Sequence, residues 1–457
     1  RRSSGVWAVR AAKPLANNLE FITKGLKLEE WKPQRKAIQL LDINIRKKKS
    51  KAFISWGEVI IGPFDFLSSL KELIDKQFIS KFDLVKDINS DMSSEEEMIK
   101  CRGCAAKLAF TPLSSALKKV DLIESSKDDS MNIGILNSDK TLIQSVDGFP
   151  SLISDPWLNG RLLAFHSCSD IWACGGSVIS AQSLINLPSI SNNLQQELLY
   201  QVLEGINSAL TIQGANLIGG HTLESRKISE EPFSLGIESS LTVNGVIDDK
   251  KYFWPKGGMR NGDEILISRS LGTGIIFSAF MNGQVKPYIL DNVLKEMNKS
   301  QHEIVNYINQ LTNLNPRSKI VNACTDITGF GLLGHLSEML ESTNSDQLKM
   351  NLEPFKVTLE LDNIPLYDGV KELLDKGFES SLAPANQIFL KNIDGDKNLR
   401  FELTSNDSSS NRSFYNAMLK ILVDPQTCGP LVVCCSSIYS EKLIQQGPWI
   451  KIGFISK

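Results

Sequence analysis

The sequence predicts an α/β (α+β) protein with two large domains that follow a shorter N-terminal block. Its 457 residues correspond to roughly three domains of ordinary size. From residue 98 onward, apolar runs of the β type, such as Thr141–Val146, alternate with segments of helical periodicity. A glycine-rich stretch that begins with a proline, Pro255–Gly262, interrupts this alternation and predicts a domain boundary.

Residues 1–85 form the first predicted block, which has few strand signals and closes with an amphipathic helical pattern from Leu67 to Phe82. The basic run from Arg46 to Lys51 is interpreted as a solvated loop or hairpin tip. Residues 86–97 are polar, acidic and rich in serine, which favours an interdomain linker. Because the chain begins at Arg1 without an initiator Met or a signal-like apolar core, we expect a fragment or a processed product.

Capping residues predict where the main helix after the linker begins and ends. Asp155 followed by Pro156 matches an N-cap with proline at the first helical position, and the helix should run to about Ala173 before a Gly-Gly pair. Similar patterns predict a helix over 194–213, a strand over 263–268, a helix after the turn at 271–274 and a surface loop over 404–413.

Composition excludes several classes of protein. Hydrophobic residues make up 42% and charged residues 22%, which is enough apolar material for sizeable cores and argues against global disorder. With 50 Lys+Arg against 52 Asp+Glu, the net charge of -2 gives no reason to expect nucleic acid as a partner. No apolar run reaches the roughly 18–20 residues of a membrane helix. Eight cysteines are too sparse for a disulfide scaffold, so a reducing, cytoplasmic compartment is expected.

The Cys101-Arg102-Gly103-Cys104 motif admits several interpretations. A zinc site is disfavoured because no second pair of ligands has suitable spacing, and a thioredoxin-like site is disfavoured because the motif follows a linker. One remaining possibility is a single activated thiol at Cys104, with Lys107 three residues later favouring the thiolate or holding a phosphate oxygen. The other is a surface thiol beside an unrelated lysine.

Carboxylates stand in unusually apolar surroundings at several separated positions. Asp147 ends an apolar strand, Asp170 lies within an apolar helix, and His166 precedes Asp170 by four residues on the same helix face. Such carboxylates are costly to bury unless they are paired or bind a cation. Each one alone is commonly a cap or a satisfied core residue. Together with Asp128-Asp129 and Asp326, they suggest a site for a magnesium-bound nucleotide.

Glycine-rich stretches are candidates for phosphate-binding turns. Residues 329–334 match GxGxxG, but the preceding residues are too polar for the buried parallel strand of a dinucleotide-binding domain. No GxxxxGK[ST] motif is present. Residues Gly219-Gly220-His221-Thr222 could present backbone N–H groups to phosphate or form a simple tight turn. His221 and His335 are as compatible with structural hydrogen bonding as with catalysis.

Taken in order, these segments resemble the selenide, water dikinase (selenophosphate synthetase) family from about Cys101 to the C-terminus. The stretches that carry the resemblance are 103–107 (GCAAK), 128–129 (DD), 145–147 (SVD), 169–176 (SDIWACGG), 219–222 (GGHT), 325–335 (TDITGFGLLGH) and 424–429 (DPQTCG).

The resemblance implies synthesis of selenophosphate from selenide, ATP and water, with release of AMP and phosphate. It implies a catalytic Cys at Cys104 and an ATP-contacting lysine at Lys107. The remaining implied ligands are Ser126, Lys127, Asp128, Asp147, Asp170, Gly220, His221 and Thr222 for ATP, and Asp129, Asp170 and Asp326 for Mg²⁺. The family shares the turn at 220–222 across its dimer.

The implied fold is the two-domain fold of aminoimidazole ribonucleotide synthetase. Residues 98–255 would form the ATP-binding and dimerisation domain, which pairs with its mate in a β-barrel interface, and 256–457 the C-terminal α/β domain. The implied partners are selenide, ATP and a second copy of the chain. Mg²⁺ is the implied metal, with ATP as substrate.

Some positions depart from the family pattern. His166 stands where Asn is common, Pro430 follows Gly429 where a second glycine is usual, and Ala106 replaces a frequent second Cys. The first two could alter local hydrogen bonding. Cys101 adds a thiol that could form a redox-sensitive disulfide with Cys104.

The first block resembles the C-terminal end of a pyridine nucleotide-disulfide oxidoreductase of the NADH dehydrogenase-like type. The matching segments are residues 4–19 and 31–35. The glycine-rich FAD and NAD fingerprints are missing, so FAD is expected only in a complete parent protein.

Two other functions remain open at this point. One is a different ATP-using enzyme of the same superfamily, such as aminoimidazole ribonucleotide synthetase or thiamine-phosphate kinase, although these lack the element from Cys104 to Lys107. The other is a non-catalytic dimerisation or regulatory domain of a redox fusion protein.

Overall fold

The computed structural model divides the chain into two units, residues 1–97 and 98–457, and each is described by itself. The structure describes residues 5–30, 38–43, 51–56, 59–64, 66–67, 70–71, 73, 102–106, 110–111, 129–137, 140–225, 235–248, 253–315, 318–394, 399–405 and 412–457. None of the helices in these ranges combines the length and apolarity that crossing a bilayer requires.

The first unit contains helix α1 (Gly5–Thr23) and an antiparallel sheet of β1 (Ile38–Ile43), β2 (Lys51–Trp56) and β3 (Val59–Phe64) in that order. The expectation of little strand structure in this block is therefore wrong. The reason is visible in β2 and β3, whose β-branched and aromatic residues favour strands. Ile43 pairs with Lys51, so the two strands flank the basic run, whose residues 46–50 lie outside the described ranges.

The N-terminal part of the second unit is a five-stranded sheet in the order β4-β5-β8-β6-β7. Its elements are β4 (Met131–Asn137), β5 (Lys140–Pro150), α2 (Pro156–Ala173), β6 (Ser177–Leu187), α3 (Asn192–Thr211), β7 (Asn216–Glu224) and β8 (Glu238–Asp248). Burial alternates along β8, where Leu241 and Val243 are inaccessible to solvent, because one face of the sheet packs against α2.

The predicted start and end of α2 are confirmed. The Asp155 carboxylate accepts a hydrogen bond of 2.9 Å from the Leu158 N–H, and Pro156 is the first helical residue. Helix α3 begins and ends two residues earlier than predicted. The two helices approach closely, since a Cβ built on Gly160 would overlap the Val202 carbonyl.

The C-terminal part contains a six-stranded mixed sheet in the order β10-β13-β9-β14-β11-β12. Its strands are β9 (Asp263–Ile267), β10 (Ala323–Asp326), β11 (Lys356–Glu360), β12 (Arg400–Thr404), β13 (Leu431–Ser436) and β14 (Ile450–Ser456). The helices are α4 (Thr273–Met281), α5 (Pro287–Met297), α6 (His302–Leu314), α7 (Gly331–Lys349), α8 (Val370–Asp375), α9 (Ala383–Asn386), α10 (Lys391–Asp394), α11 (Arg412–Leu422) and α12 (Ser437–Gln446). The loop predicted over 404–413 lies mostly outside the described residues, which stop at 405 and resume at 412.

The two parts of the second unit pack against each other along α2. The Asn309 amide of α6 donates to the Gly175 carbonyl at 2.9 Å, and the Cys428 thiol donates to the Leu162 carbonyl at 3.2 Å. Buried apolar residues of both parts form one continuous core. Helix α2 is therefore held from both sides, which fixes the polar residues on its surface.

Candidate functional site

The first part of the site lies where β5 faces α2. Alternate residues of a strand point to one face, so Ser145 and Asp147 both face the helix. On α2, His166 and Asp170 are separated by one turn and share a face. The Ser145 hydroxyl donates to Asp170 Oδ2, and His166 Nε2 lies 3.1 Å from Asp147 Oδ2. Asp147 and Asp170 thus lie in the same place, where strand β5 faces helix α2.

Asp326 brings the C-terminal part into the site. It is the last residue of β10, whose four residues are all buried, and the Ser169 hydroxyl of α2 donates to its Oδ2. Strand β10 pairs with β13 in antiparallel fashion, so the following glycines at 329–334 do not continue a parallel βαβ unit. The structure thus excludes the dinucleotide-binding interpretation, although the polar segment before these glycines does form a buried strand.

Three carboxylates from separate segments converge. Oxygen atoms of Asp129, Asp170 and Asp326 all lie within 4.8 Å of one another. Burial and the neighbouring carboxylates of Asp326, Asp147 and Asp129 raise the pKa of Asp170 well above its ordinary value. An all-oxygen set with excess negative charge fits a hard divalent cation such as Mg²⁺. It does not resemble the sulfur- and nitrogen-rich set of a structural zinc site.

Sequence reasoning missed a buried basic residue at this site. The Lys256 ammonium lies 2.6 Å from Asp129 Oδ1 and 2.8 Å from Glu338 Oε2, and it is only 8% exposed. Glu338 also lies 3.3 Å from His335 Nδ1, while His335 Nε2 lies 3.2 Å from the Thr328 hydroxyl. The only signal in the sequence was a lysine within the glycine-rich domain boundary.

The structure describes the backbone of the turn that carries Cys104. Residues Gly103–Ala106 form a short 3₁₀-helix. Gly103 has φ +64, and a Cβ there would lie 2.6 Å from the Thr427 hydroxyl, so the turn sits close against the C-terminal part. Phe110 stacks edge-on with Phe330 at 5.5 Å between ring centroids. The side chain of Cys104 lies outside the described residues, as do Cys101, Lys107, Ser126, Lys127 and Asp128.

The Asp424–Gly429 loop supports this turn and caps α4. Gln426 Oε1 accepts hydrogen bonds from the backbone N–H groups of Gly272 and Thr273 at 3.0 and 3.1 Å. Burial raises the pKa of Asp424 to about 8. The Pro430 carbonyl accepts a 2.9 Å hydrogen bond from the Ile327 N–H, so this loop is tied directly to the residue after Asp326.

Gly220, His221 and Thr222 do not form a turn. They lie inside β7, an exposed edge strand that pairs in parallel with β6, so the expected turn is wrong. Glycine does not prevent strand formation here because Gly220 packs tightly on the Ser183 backbone, where a Cβ would overlap the carbonyl oxygen. Strand β7 is three strands away from β5, or about 14 Å across the sheet. The three residues therefore do not join the carboxylates within one chain.

Two family models match this chain. Residues 127–246 match the AIR synthase related protein, N-terminal domain, and residues 260–375 match the corresponding C-terminal domain. The thiamine monophosphate kinase of Aquifex aeolicus covers 76% of this chain and 94% of its own with a TM-score of 0.51 and 16% identity, which concerns the fold alone.

Other curated relatives are more similar in sequence than this kinase and share a different name, selenide, water dikinase. The selenide, water dikinase of Treponema denticola is 30% identical over 376 residues, which cover 78% of this chain and 92% of that protein. The enzyme of the same name from Clostridioides difficile strain 630 is 28% identical over 357 residues, with 76% and 90% covered.

Proposed function

This chain belongs to the selenide, water dikinase family, and we propose that it makes selenophosphate from selenide, ATP and water, releasing AMP and phosphate. The observation that carries the proposal is the convergence of Asp129, Asp170 and Asp326 from three separate segments. The triphosphate of ATP is strongly negative, and carboxylates can hold it only through bridging cations. An acidic cluster between two domains is thus suited to a metal–nucleotide substrate.

We assign Mg²⁺ to Asp129, Asp170 and Asp326, where the ion would neutralise phosphate charge when bound. The protein's own groups prepare these ligands. The hydroxyls of Ser145 and Ser169 each donate to one carboxylate oxygen, which fixes its rotamer and leaves the second oxygen for the cation. Asp147 is proposed as a nucleotide contact, and it is oriented by the His166 imidazole and by the Gly148 N–H at 2.7 Å.

The further nucleotide contacts remain predictions from the family resemblance. Lys107, Ser126, Lys127 and Asp128 are proposed to contact ATP, and they lie in the segments flanking the described residues 102–106 and 129–137. Asp129 begins the second of these ranges, so the segment 126–128 leads directly into the carboxylate cluster. Lys107 follows the 3₁₀-helix that packs near Thr427.

Cys104 is proposed as the thiol that handles selenide. We expect Cys104→Ser to lower selenide-dependent AMP release at least roughly 100-fold, because a hydroxyl is far less nucleophilic and less polarisable than a thiolate. Cys101→Ser is the matched control and should retain activity. Full activity of the Cys104 variant would exclude a catalytic role. Equal losses in both variants would point instead to a Cys101–Cys104 pair.

A homodimer is proposed through the exposed face of the five-stranded sheet. Val146 on β5 is 66% exposed, and Leu184 on β6 and Leu223 on β7 are also exposed. Cross-strand pairing places Leu184 opposite His221, so the apolar residues share one surface with His221, and Gly220 and Thr222 adjoin it on the same edge strand. A second copy on this face would bring Gly220, His221 and Thr222 to an interface, where they could reach the partner's nucleotide.

We expect Val146→Lys to convert the dimer to a monomer, because a charge buried in an apolar contact is strongly unfavourable. Sedimentation equilibrium should give twice the chain mass for the unaltered protein and the single-chain mass for the variant. Ile438→Lys, at an equally exposed apolar position on α12, is the control and should leave the mass unchanged. A dimer that persists in the Val146 variant contradicts this interface.

Residues 1–85 are proposed to be the C-terminal remnant of an oxidoreductase, followed by a linker over 86–97, an ATP-binding domain over 98–255 and a C-terminal domain over 256–457. FAD is assigned only to a complete parent protein, and stoichiometric flavin absorbance in this chain would contradict that. The described cysteines whose side chains are placed are buried, and the cytoplasmic location is proposed from the low cysteine content of the sequence.

A further inference from the structure

Lys256 lies in the segment between the two domains and points into the acidic site. Its ammonium bridges Asp129 and Glu338 at 2.6 and 2.8 Å. A lysine this deeply buried is rare unless paired. Two carboxylates within hydrogen-bond distance favour the charged form of a lysine. The side chain therefore places a positive charge at the edge of the carboxylate cluster.

The backbone around Lys256 is held rigidly. The Gly258 N–H donates to the Thr343 hydroxyl of α7 at 3.0 Å, and a Cβ on Gly257 would overlap the side chain of Ser342. Glu338 lies one turn earlier on the same helix. The backbone next to Lys256 thus packs against α7, the helix that carries Glu338, and this packing restricts the position of the ammonium.

This geometry matters because Asp129 is shared. Its Oδ1 already accepts a hydrogen bond from Lys256, while its carboxylate is also among the oxygens that converge with Asp170 and Asp326. A divalent cation bound at this cluster would therefore share the Asp129 carboxylate with the ammonium. Two cations drawn to one anion weaken each other's binding through mutual repulsion, and this coupling is reciprocal.

We propose that Lys256 is a positioning residue that serves as a built-in counter-cation of the metal site. It orients Asp129 and weakens metal binding by charge repulsion. Glu338 reduces this repulsion because it competes with Asp129 for the ammonium. The inference rests on the proposed function only in so far as Asp129, Asp170 and Asp326 bind Mg²⁺. It requires no assumption about selenide.

The two residues should then change magnesium binding in opposite directions. Lys256→Met removes the competing charge, so the Mg²⁺ concentration at half-saturation should fall about five- to tenfold. The metal-free melting temperature should also fall, because Asp129 and Glu338 lose their shared partner. Glu338→Gln leaves the ammonium to Asp129 alone, so half-saturation should require about three- to fivefold more Mg²⁺.

Thermal melting of the full chain over a range of MgCl₂ concentrations, without ATP or selenide, tests this. Lys451→Met is the matched control because it removes another lysine from a 2.7 Å pair, with Glu264. It should change the melting temperature equally with and without Mg²⁺. Lys256→Arg keeps the charge and should respond to Mg²⁺ nearly as the unaltered chain does.

Opposite shifts in the two variants support the inference. If the Mg²⁺ concentration at half-saturation shifts in the same direction in both variants, the inference is overturned. It is also overturned if this concentration is the same in Lys256→Met as in the unaltered chain. In both cases the metal site itself stands. If Lys256→Met does not fold, an unchanged Mg²⁺ concentration at half-saturation in Glu338→Gln overturns the inference on its own. If the unaltered chain shows no stabilisation by Mg²⁺, both the proposed metal ligands and this inference are wrong.

Discussion

Replacing Asp170 by Asn should lower selenide-dependent ATP cleavage at least about 1,000-fold and at the same time make the protein more stable. Activity is lost because an amide cannot supply the charge that the metal requires. Stability is gained because Asp170 is partly buried beside Asp326, Asp147 and Asp129, and desolvation together with these carboxylates raises its pKa well above the ordinary value. Asn keeps an oxygen that can accept the Ser145 hydroxyl without the repulsion.

The size of this stability effect depends on pH. The folded-state pKa of Asp170 lies above its unfolded value, so folding favours the protonated form, and stability falls as pH rises through the window between the two values. The variant should therefore melt about 2–5 °C higher at neutral pH in the absence of metal. At about pH 3, where the carboxyl is mostly protonated in both states, the difference should nearly disappear.

Asp155→Asn provides the control on the same helix. Asp155 caps α2 through the Leu158 N–H, and Asn is an equally good N-cap, so both activity and melting temperature should stay close to those of the unaltered chain. Melting curves from pH 3 to pH 8 with added EDTA, together with AMP release at neutral pH, make the comparison. An Asp170 variant that is active within tenfold, or less stable at neutral pH, contradicts the assignment.

The second large effect is expected for Gly429→Ala. The backbone of Gly429 is not in the left-handed region, yet a Cβ there would overlap the Ile327 carbonyl oxygen and lie 2.9 Å from the Gln426 Cβ. Neither obstacle is a flexible side-chain end, so the loop must move away from β10. We expect a loss of about 3 kcal/mol or more in the free energy of unfolding. Because Ile327 follows Asp326, the metal site should be displaced and activity should also fall.

Gly283→Ala is the control that separates the steric overlap at Gly429 from the backbone strain of replacing a glycine. Gly283 has φ +67 and no atom within 4 Å of a built Cβ, so alanine there should cost only about 1–2 kcal/mol through backbone strain. Activity should be retained in this control. Urea unfolding of both variants measures the difference. Equal losses of stability would show that the Asp424–Gly429 loop can retreat, and that it does not hold Asp326 in position.

The sequence predicts well those parts of the site that follow from local geometry. The Asp155-Pro156 cap located helix α2, and helical spacing placed His166 and Asp170 on one face. The apolar surroundings of Asp147 and Asp170 indicated carboxylates that need partners, and the structure supplies these partners. Such inferences work because helix and strand periodicity act over a few residues.

Contacts between distant segments were not predictable in the same way. Lys256 and Glu338 are 82 positions apart and meet only because Gly257 and Gly258 pack against α7. The Gly219-Gly220-His221-Thr222 stretch was expected to form a turn, but pairing with β6 draws it into a strand despite its two glycines. Pairing with β6 overrides the local turn propensity of this segment, and the sequence of the segment alone does not predict that pairing.

Phosphorus NMR of ATP incubated with the purified chain and Mg²⁺, with and without selenide, tests the central claim most directly. The account predicts that AMP and orthophosphate accumulate together with a selenophosphate resonance only when selenide is present. ATP turnover that is indifferent to selenide would instead indicate another ATP-using enzyme of the superfamily. Absence of turnover in a folded, Mg²⁺-binding chain would contradict catalysis and favour a dimerisation or regulatory role.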